Sequence, residues 1–423
     1  MEKLRKYWKA ILLFSLYMSQ GMPFGYQAKT LKIFLTTHGA DEAILGYITV
    51  LAAPWLLKPL WAPFVDKYFF KNFGKRKSWI IPVQLCLIVI FIAASFIPME
   101  TNFYLLCIAI LIMNFFAATQ DIAVDGLAVD LLGEKELGSG NAVQVIGFKA
   151  GMVVSSGLLV WLSSYFGWNS LFLFMAAFAV IPLVLILFHK EKSQPIAIET
   201  EKNQPKQKSK KFFSIFKMVW QTPGAKWIIL FVGTYKIGES FIDSMFTPYL
   251  IKELSFQASQ IGLWNNSLGL VVSIIGSIFG GYLATKMDFW KALSITTVLR
   301  IFPLILQWST TFTSLTFIEV IPIALAEDFF GGALTTTMFA FMMSSVNKEI
   351  GATHFSIFAS TELIGKLPGF LFGGLIAKTF GYQLLFGLGV CLSLIPIFLL
   401  AKIKPKKHYQ KEQLNEPTEK SAI

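Results

Sequence analysis

Residues 102–132 read NFYLLCIAILIMNFFAATQDIAVDGLAVDLL. No Asp, Glu, Lys or Arg appears before Asp121, and the run is longer than the ~20 residues needed to cross the apolar core of a bilayer. Yet Gln120, Asp121, Asp125 and Asp130 stand in its second part. Burying an ionised group near the bilayer centre costs about 2.5–3.5 kcal/mol on insertion scales. The i,i+4 spacing puts Asp121 and Asp125 on one helical face, so that face must meet water or cations inside the protein rather than lipid. The stretch therefore predicts a membrane-spanning helix with a functional stripe.

Apolar windows of similar length recur on both sides. They predict spans near 9–35, 42–64, 78–97, 102–132, 139–163, 169–189, 225–251, 258–285, 290–308, 315–345, 352–377 and 382–402, referred to below as spans 1 to 12. The expected fold class is all-α: a polytopic membrane protein of 12 transmembrane helices in two pseudo-symmetric six-helix bundles. Composition agrees. The 423 residues are 55% hydrophobic and only 15% charged, with a mean hydropathy of +0.60, against about a quarter charged in soluble proteins. Disorder, fibrous repeats and a secreted disulfide scaffold are excluded. Cys86, Cys107 and Cys391 fall in apolar runs without regular spacing, and the four histidines are scattered. Neither metal nor cofactor chemistry is expected.

The net charge of +12 is an orientation device. If the N-terminus is cytoplasmic, 28 of the 37 Lys and Arg residues lie in or next to cytoplasmic segments and only Lys252 and Lys378 in outer loops. The positive-inside rule then places both termini in the cytoplasm. The charge implies contact with anionic lipid and no nucleic acid. The basic, then apolar N-terminus resembles a signal peptide, but its apolar stretch is too long and no small-residue cleavage site follows. It is expected to be a retained first helix.

One connection is long and polar. Residues 190–224 cannot bury enough apolar surface to fold alone, which predicts an N-terminal bundle at 1–189, a cytoplasmic linker at 190–224, a C-terminal bundle at 225–402 and a disordered tail at 403–423. Weak internal matches support duplication. Phe34-Leu35 with Leu45-Gly46 corresponds to Tyr249-Leu250 with Ile261-Gly262, and KELG at 135–138 to KEIG at 348–351. Between spans 2 and 3, Asp66 is followed by a tight basic turn with Gly74, Lys75 and Arg76 that can clamp helix ends during gating. The second half has only a degenerate copy, Gly280-Gly281 and Lys286-Met287-Asp288.

Two carboxylates as close as Asp121 and Asp125 do not both stay ionised cheaply, which makes them a candidate proton carrier; the alternative is structural pairing with Lys149 on span 5. On span 7, Lys236, Glu239 and Asp243 form a stripe at spacings of three and four, with Lys236 expected to neutralise one neighbour. Glu239 and Asp243 are further proton candidates. Glu362 and Lys366 suit a local ion pair. Span 1 is broken by Gly21, Pro23 and Gly25, with Gln20, Tyr26 and Gln27 alongside. Lys29 is expected to face the cavity and Lys32 to snorkel. Lys58 and Arg300 sit deeper, where a buried cation needs a partner or an anionic ligand. Candidate solute contacts are thus Gln20, Tyr26, Lys29, Lys58, Gln120, Lys149, Lys236 and Arg300. An intramembrane aspartyl protease would need carboxylates converging from facing elements and a Gly-x-Gly-Asp segment, which the chain lacks. A channel would need a repeated filter or charged ring.

Several segments together resemble one branch of the major facilitator superfamily: QGMPFG at 20–25, LKPLWAPFVD at 57–66, FGKRKSW at 73–79, ATQDIAVDG at 118–126, GFKAG at 147–151, and Lys236-Ile-Gly238 with Pro248-Tyr-Leu250. That branch holds the AmpG-like muropeptide permeases and the acetyl-coenzyme A transporters. The resemblance implies the major facilitator fold, no enzymatic activity, and proton-coupled import of a bulky, often anionic solute by alternating access. A muropeptide leads, with acetyl-coenzyme A or another organic anion or siderophore as the alternative. The high ratio of Lys to Arg and the compact loops fit a bacterial inner membrane, and the chain is expected to work as a monomer.

Overall fold

A computed structural model describes residues 2–31, 34–35, 48–70, 73–98, 101–191, 212–222, 224–256, 268–313 and 315–403. Lys32, the connections at 36–47 and 257–267 with their repeat matches, residues 192–211 of the linker and the tail beyond 403 lie outside the described residues. Among the described residues the chain is helical and contains no strand.

Among the described residues, seven helices are long and apolar enough to cross a membrane: Lys77–Ser95, Phe103–Leu131, Glu134–Ser163, Ser170–Phe188, Gly269–Lys286, Phe289–Phe312 and Lys348–Ile403. The last passes through Gly381, whose φ of 83° breaks it between spans 11 and 12; that backbone conformation costs an L side chain energy and glycine none. The remaining segments are interrupted for identifiable reasons. Span 1 is the helix Glu2–Gly25 with Pro23 inside, and it widens into a π-helical turn at Tyr26–Thr30. Span 2 is a relay of short pieces, Ala53–Leu57, Lys58–Leu60 and Ala62–Lys67, each with a proline in its first turn. Three missing backbone N–H groups within ten residues prevent one continuous ladder. Span 7 divides into Ala225–Thr234 and Ile237–Lys252. Span 10 is the helix Phe317–Ser344, started by a capping box between Thr316 and Glu319.

The linker is less uniform than its polar composition suggests. Its final part forms the helix Phe212–Gln221, because after Lys211 the sequence turns apolar and finds a surface: Val219 packs on Ile350, with Met218 and Ile357 beside them.

Small residues let helix backbones touch. A Cβ on Gly21 would strike the Phe148 carbonyl and one on Gly151 the Met18 carbonyl, so spans 1 and 5 cross in direct contact. Spans 7 and 11 cross in the same way, Gly365 against Gly233 and Gly369 against Ser240. The apolar cores differ at the two ends of the molecule. At the end carrying Asp66 and Arg76, one cluster draws on both halves, from Leu12, Val65, Leu127 and Leu137 to Leu334, Met343, Phe355 and Leu400. At the opposite end the clusters are separate. One is built on Phe34, Phe91, Phe172 and Met175, with Leu363 of the second half at its edge, and the other on Phe246, Tyr249, Leu304 and Phe386. Among the described residues, the large core shared by both halves lies at one end.

Candidate solute and proton site

The first cluster centres on Asp125, which is 1% exposed. It accepts hydrogen bonds from the Tyr17 hydroxyl of span 1 at 2.8 Å and from the Gln144 amide of span 5 at 3.2 Å. Lys58 of span 2 hydrogen-bonds to Asp121 and lies 3.8 Å from Asp125. The proline relay explains how a lysine reaches that depth: Lys58 opens the tight turn between two α-helical pieces, and its side chain is buried against span 4. This corrects the expected pairing. Lys149 does not meet the two aspartates. Its ammonium donates to the Ser273 hydroxyl of span 8, across the seam between the halves.

The second cluster is held by Arg300 of span 9. Its guanidinium bonds Glu239 of span 7 at 3.0 Å and both the carboxylate and the backbone carbonyl of Glu327 on span 10. Carboxylate oxygens of Glu239, Asp243 and Glu327 all lie within 4.8 Å of one another, and Asp243 is exposed. The planar fork of arginine suits two carboxylates at once. Lys236 departs from expectation. It does not ion-pair with its helical neighbours Glu239 and Asp243 but reaches Glu362 at 3.5 Å and the Thr335 hydroxyl at 2.8 Å. The Glu362–Lys366 pair forms, at 2.8 Å.

Other candidates are placed inside the first half rather than at the seam. Gln120 donates to Gln84, which itself donates to Ser19 at 3.0 Å and to the Ala179 carbonyl at 2.7 Å. The ring of Tyr26 lies 4.9 Å from Phe172. Gln20 is fully buried. Gln120 and Tyr26 are thus turned toward spans 3 and 6, whereas both polar atoms of the Gln20 amide are buried with no hydrogen-bond partner among the described residues. Lys29 is half-buried at the end of span 1.

At the joined end, Arg76 is fully buried and binds Asp66 at 2.9 Å and Asp130 at 2.7 Å. Lys75 lies 3.5 Å from Asp66. Asp66 also accepts from the backbone N–H and the hydroxyl of Thr353, each at 2.7 Å, at the start of span 11. Burial alone would raise the Asp66 carboxyl, but the Arg76 and Lys75 cations and the two Thr353 bonds outweigh it and hold the group below the usual carboxylate range. Gly74 has a φ of 101°, and a Cβ there would strike the Glu191 carboxylate. Glu191 in turn accepts from the backbone amides of Arg76 and Lys77, while Lys77 donates to the carbonyls of Leu187 and His189 at 3.1 and 3.0 Å. Spans 3 and 6 thus cap each other's ends. Further contacts close the seam: the Ser360 hydroxyl to the Trp55 carbonyl at 3.3 Å, and the Asn141 amide to the Met343 sulfur at 3.6 Å.

The family model of the Major Facilitator Superfamily matches residues 10–237 and 230–422. The chain belongs to the Major Facilitator Superfamily. It is similar to the anhydromuropeptide permease of Escherichia coli (strain K12), 26% identical over 402 residues that cover 95% of this chain and 81% of that protein. It is 30% identical to putative transporter AmpG 3 of Rickettsia prowazekii (strain Madrid E) over 393 residues, covering 89% and 92% of the two. Among solved structures, its fold resembles the human organic anion transporter MFSD10 (TETRAN), with a TM-score of 0.72, 14% identity and coverage of 93% of this chain and 99% of that one. It also resembles FucP in the outward conformation, with a TM-score of 0.70, 14% identity and coverage of 94% and 98%.

As a facilitator, the chain is an integral membrane transporter of a small-molecule solute and not an enzyme. Two ionic clusters, one per half, stand at a seam that is shut from the Asp66–Thr353 contact up to Trp55 and Ser360. Two participants escaped the sequence reading: Tyr17 and Gln144 have no charged residue beside them in the sequence to mark them. The partnership of Glu327 with Arg300 arises because spans 9 and 10 pack together. The three prolines around Lys58 were an available signal that span 2 is not a plain helix.

Proposed function

We propose that this transporter imports a bulky, anionic solute such as a muropeptide across a bacterial inner membrane, coupled to protons, by alternating access. In this reading twelve spans form two six-helix halves, 1–189 and 225–402, joined by the linker 190–224. Both termini are cytoplasmic, and the chain works as a monomer. The 28-to-2 distribution of basic residues supports that orientation and makes the Asp66–Arg76–Thr353 end the cytoplasmic gate, closed here. Similarity to an anhydromuropeptide permease over nearly the whole chain supports the solute class.

One observation carries the coupling: Lys58 is shared by Asp121 and Asp125 in a pocket of side chains almost closed to water. With all three ionised the cluster has one surplus negative charge, and a single proton cancels it. Asp243, exposed beside Glu239 and Glu327, is the corresponding carrier in the second half. Lys149 must release Ser273 when the halves part, and with Lys29 it supplies cationic ligands for the solute.

The test is uptake of anhydromuropeptide into proteoliposomes with and without an inward proton gradient. Gradient-driven accumulation is expected in the wild type, with counterflow but no accumulation in Asp125→Asn. Uptake indifferent to both the gradient and that substitution would remove the coupling; saturable uptake of coenzyme A thioesters instead would replace the solute.

A further inference from the structure

We propose that the cytoplasmic end of the second half binds the phosphodiester headgroup of an anionic membrane lipid between Lys226 and Lys402. Lys226 stands in the first turn of the helix Ala225–Thr234, and Lys402 in the last turn of the helix Ile395–Ile403. Both ammonium groups lie over the indole of Trp227, at 5.3 and 5.8 Å from its centroid. The ring is fixed because Trp227 packs against the shared core. The end of the last helix is fixed too, because the Trp290 indole donates to the Leu400 carbonyl at 2.9 Å.

Two like charges gathered on one ring repel each other, and a cation–π contact at an exposed site compensates only modestly. Both lysines are exposed, and among the described residues neither forms an ion pair with a carboxylate. Asp288, the acid that begins the neighbouring helix Phe289–Ser309, forms none either. An anion seated by the two ammonium groups relieves the repulsion. The next turn on each helix says what kind of anion. Leu230 lies four residues beyond Lys226 and Phe398 four residues before Lys402, so each is on the same helical face one turn deeper into the membrane. They are 44% and 76% exposed. A phosphate above and acyl chains below match this charge-over-apolar order, as in other basic pockets between helix ends at the cytoplasmic leaflet. A soluble phosphate would use only the upper layer.

The proposal rests on these helix ends lying at the membrane boundary, and it is independent of the solute and proton reading. The full chain, purified in a neutral detergent, would be titrated with phosphatidylglycerol or phosphatidylcholine and followed by native mass spectrometry. Phosphatidylglycerol should be retained in preference. Lys226→Gln or Lys402→Gln should each weaken it about fivefold and the double variant about twenty-five-fold, from roughly 1 kcal/mol per basic residue near an anionic surface. Lys252→Gln at the opposite end should change nothing, and melting temperatures of all variants should stay close to wild type. Soluble glycerophosphate in excess should not displace the lipid. Equal retention of the two lipids, or double-variant retention equal to wild type, would overturn the site. Displacement by glycerophosphate would overturn its assignment to lipid. Loss of muropeptide uptake in any assay would leave these outcomes standing.

Discussion

Thr353 gives both its amide and its hydroxyl to one oxygen of Asp66, across the seam between the two halves. Hydrogen bonds to a charged group contribute about 1.5–3 kcal/mol each, so this one contact biases the closed gate strongly. In Asp66→Asn the amide replaces a charged acceptor and weakens the hold of Arg76. A cysteine introduced at Ser360, buried in the closed seam against the Trp55 carbonyl, should react with a water-soluble maleimide at least tenfold faster in Asp66→Asn than in the otherwise wild-type chain.

The same residue sets a pH expectation. A carboxyl held below its ordinary value stabilises the closed gate above about pH 4, and that contribution is lost as pH falls through the depressed value. Maleimide reactivity at the gate, divided by that of a solvent-exposed reference cysteine so that titration of the thiol itself cancels, should therefore be flat between about pH 5 and 8 and should rise only in stronger acid.

Removing Lys58 leaves two carboxylates in a dry pocket. Breaking a buried ion pair from one side costs about 3–5 kcal/mol, so Lys58→Met should lower the thermal unfolding temperature by many degrees. Adding Asp121→Asn should restore much of it, because one uncompensated charge goes with it, yet uptake should stay absent in both. A double variant no more stable than Lys58→Met would contradict the shared-cation geometry.

Arg300 bridges Glu239 and Glu327 with different nitrogens and also reaches a backbone carbonyl. Lysine keeps the charge but lacks the fork. Arg300→Lys should reduce uptake at least tenfold while the protein still folds, whereas a point-charge role would leave uptake near wild type.

Tyr17→Phe deletes one of the bonds to Asp125 without changing shape. A cost of about 1.5–3 kcal/mol in stability is expected, together with a shift in the pH profile of uptake. Tyr235 is likewise a buried tyrosine, in the second half, and a shift shared by Tyr235→Phe would show that the effect is not local to Asp125.

Membrane character, the paired aspartates and the basic loop were legible because each depends on one stretch of chain: an apolar run, an i,i+4 repeat, a cluster of lysines. The Glu362–Lys366 pair was legible for the same reason. Partnerships between helices were not. Lys149 looked like the cation for Asp121 and Asp125 because span 5 follows span 4, yet span 5 turns that side chain toward Ser273, and Lys58 takes the place from a proline-broken segment. Lys236 likewise sits near Glu239 in sequence but at the junction of two helical pieces, which points it at Glu362. Gln120 shows the converse: one step along the helix from Asp121 and so turned by about 100°, it meets Gln84 of span 3 instead of Lys58. Helix rotation and local breaks decide such cases, and neither follows from spacing within one span.

The unequal cores at the two ends of the molecule have a thermodynamic corollary for turnover. In the proposed cycle, release on the far side requires the halves to strip Leu137, Leu334, Met343 and their neighbours from one another and to gather Phe34, Phe172, Tyr249 and Phe386 from two sheltered groups into one. Newly wetted hydrocarbon raises heat capacity, by about 0.45 cal/mol/K for each Å². Where the two areas differ and this rearrangement limits the rate, transport carries a heat-capacity term, and its Arrhenius plot should bend rather than run straight.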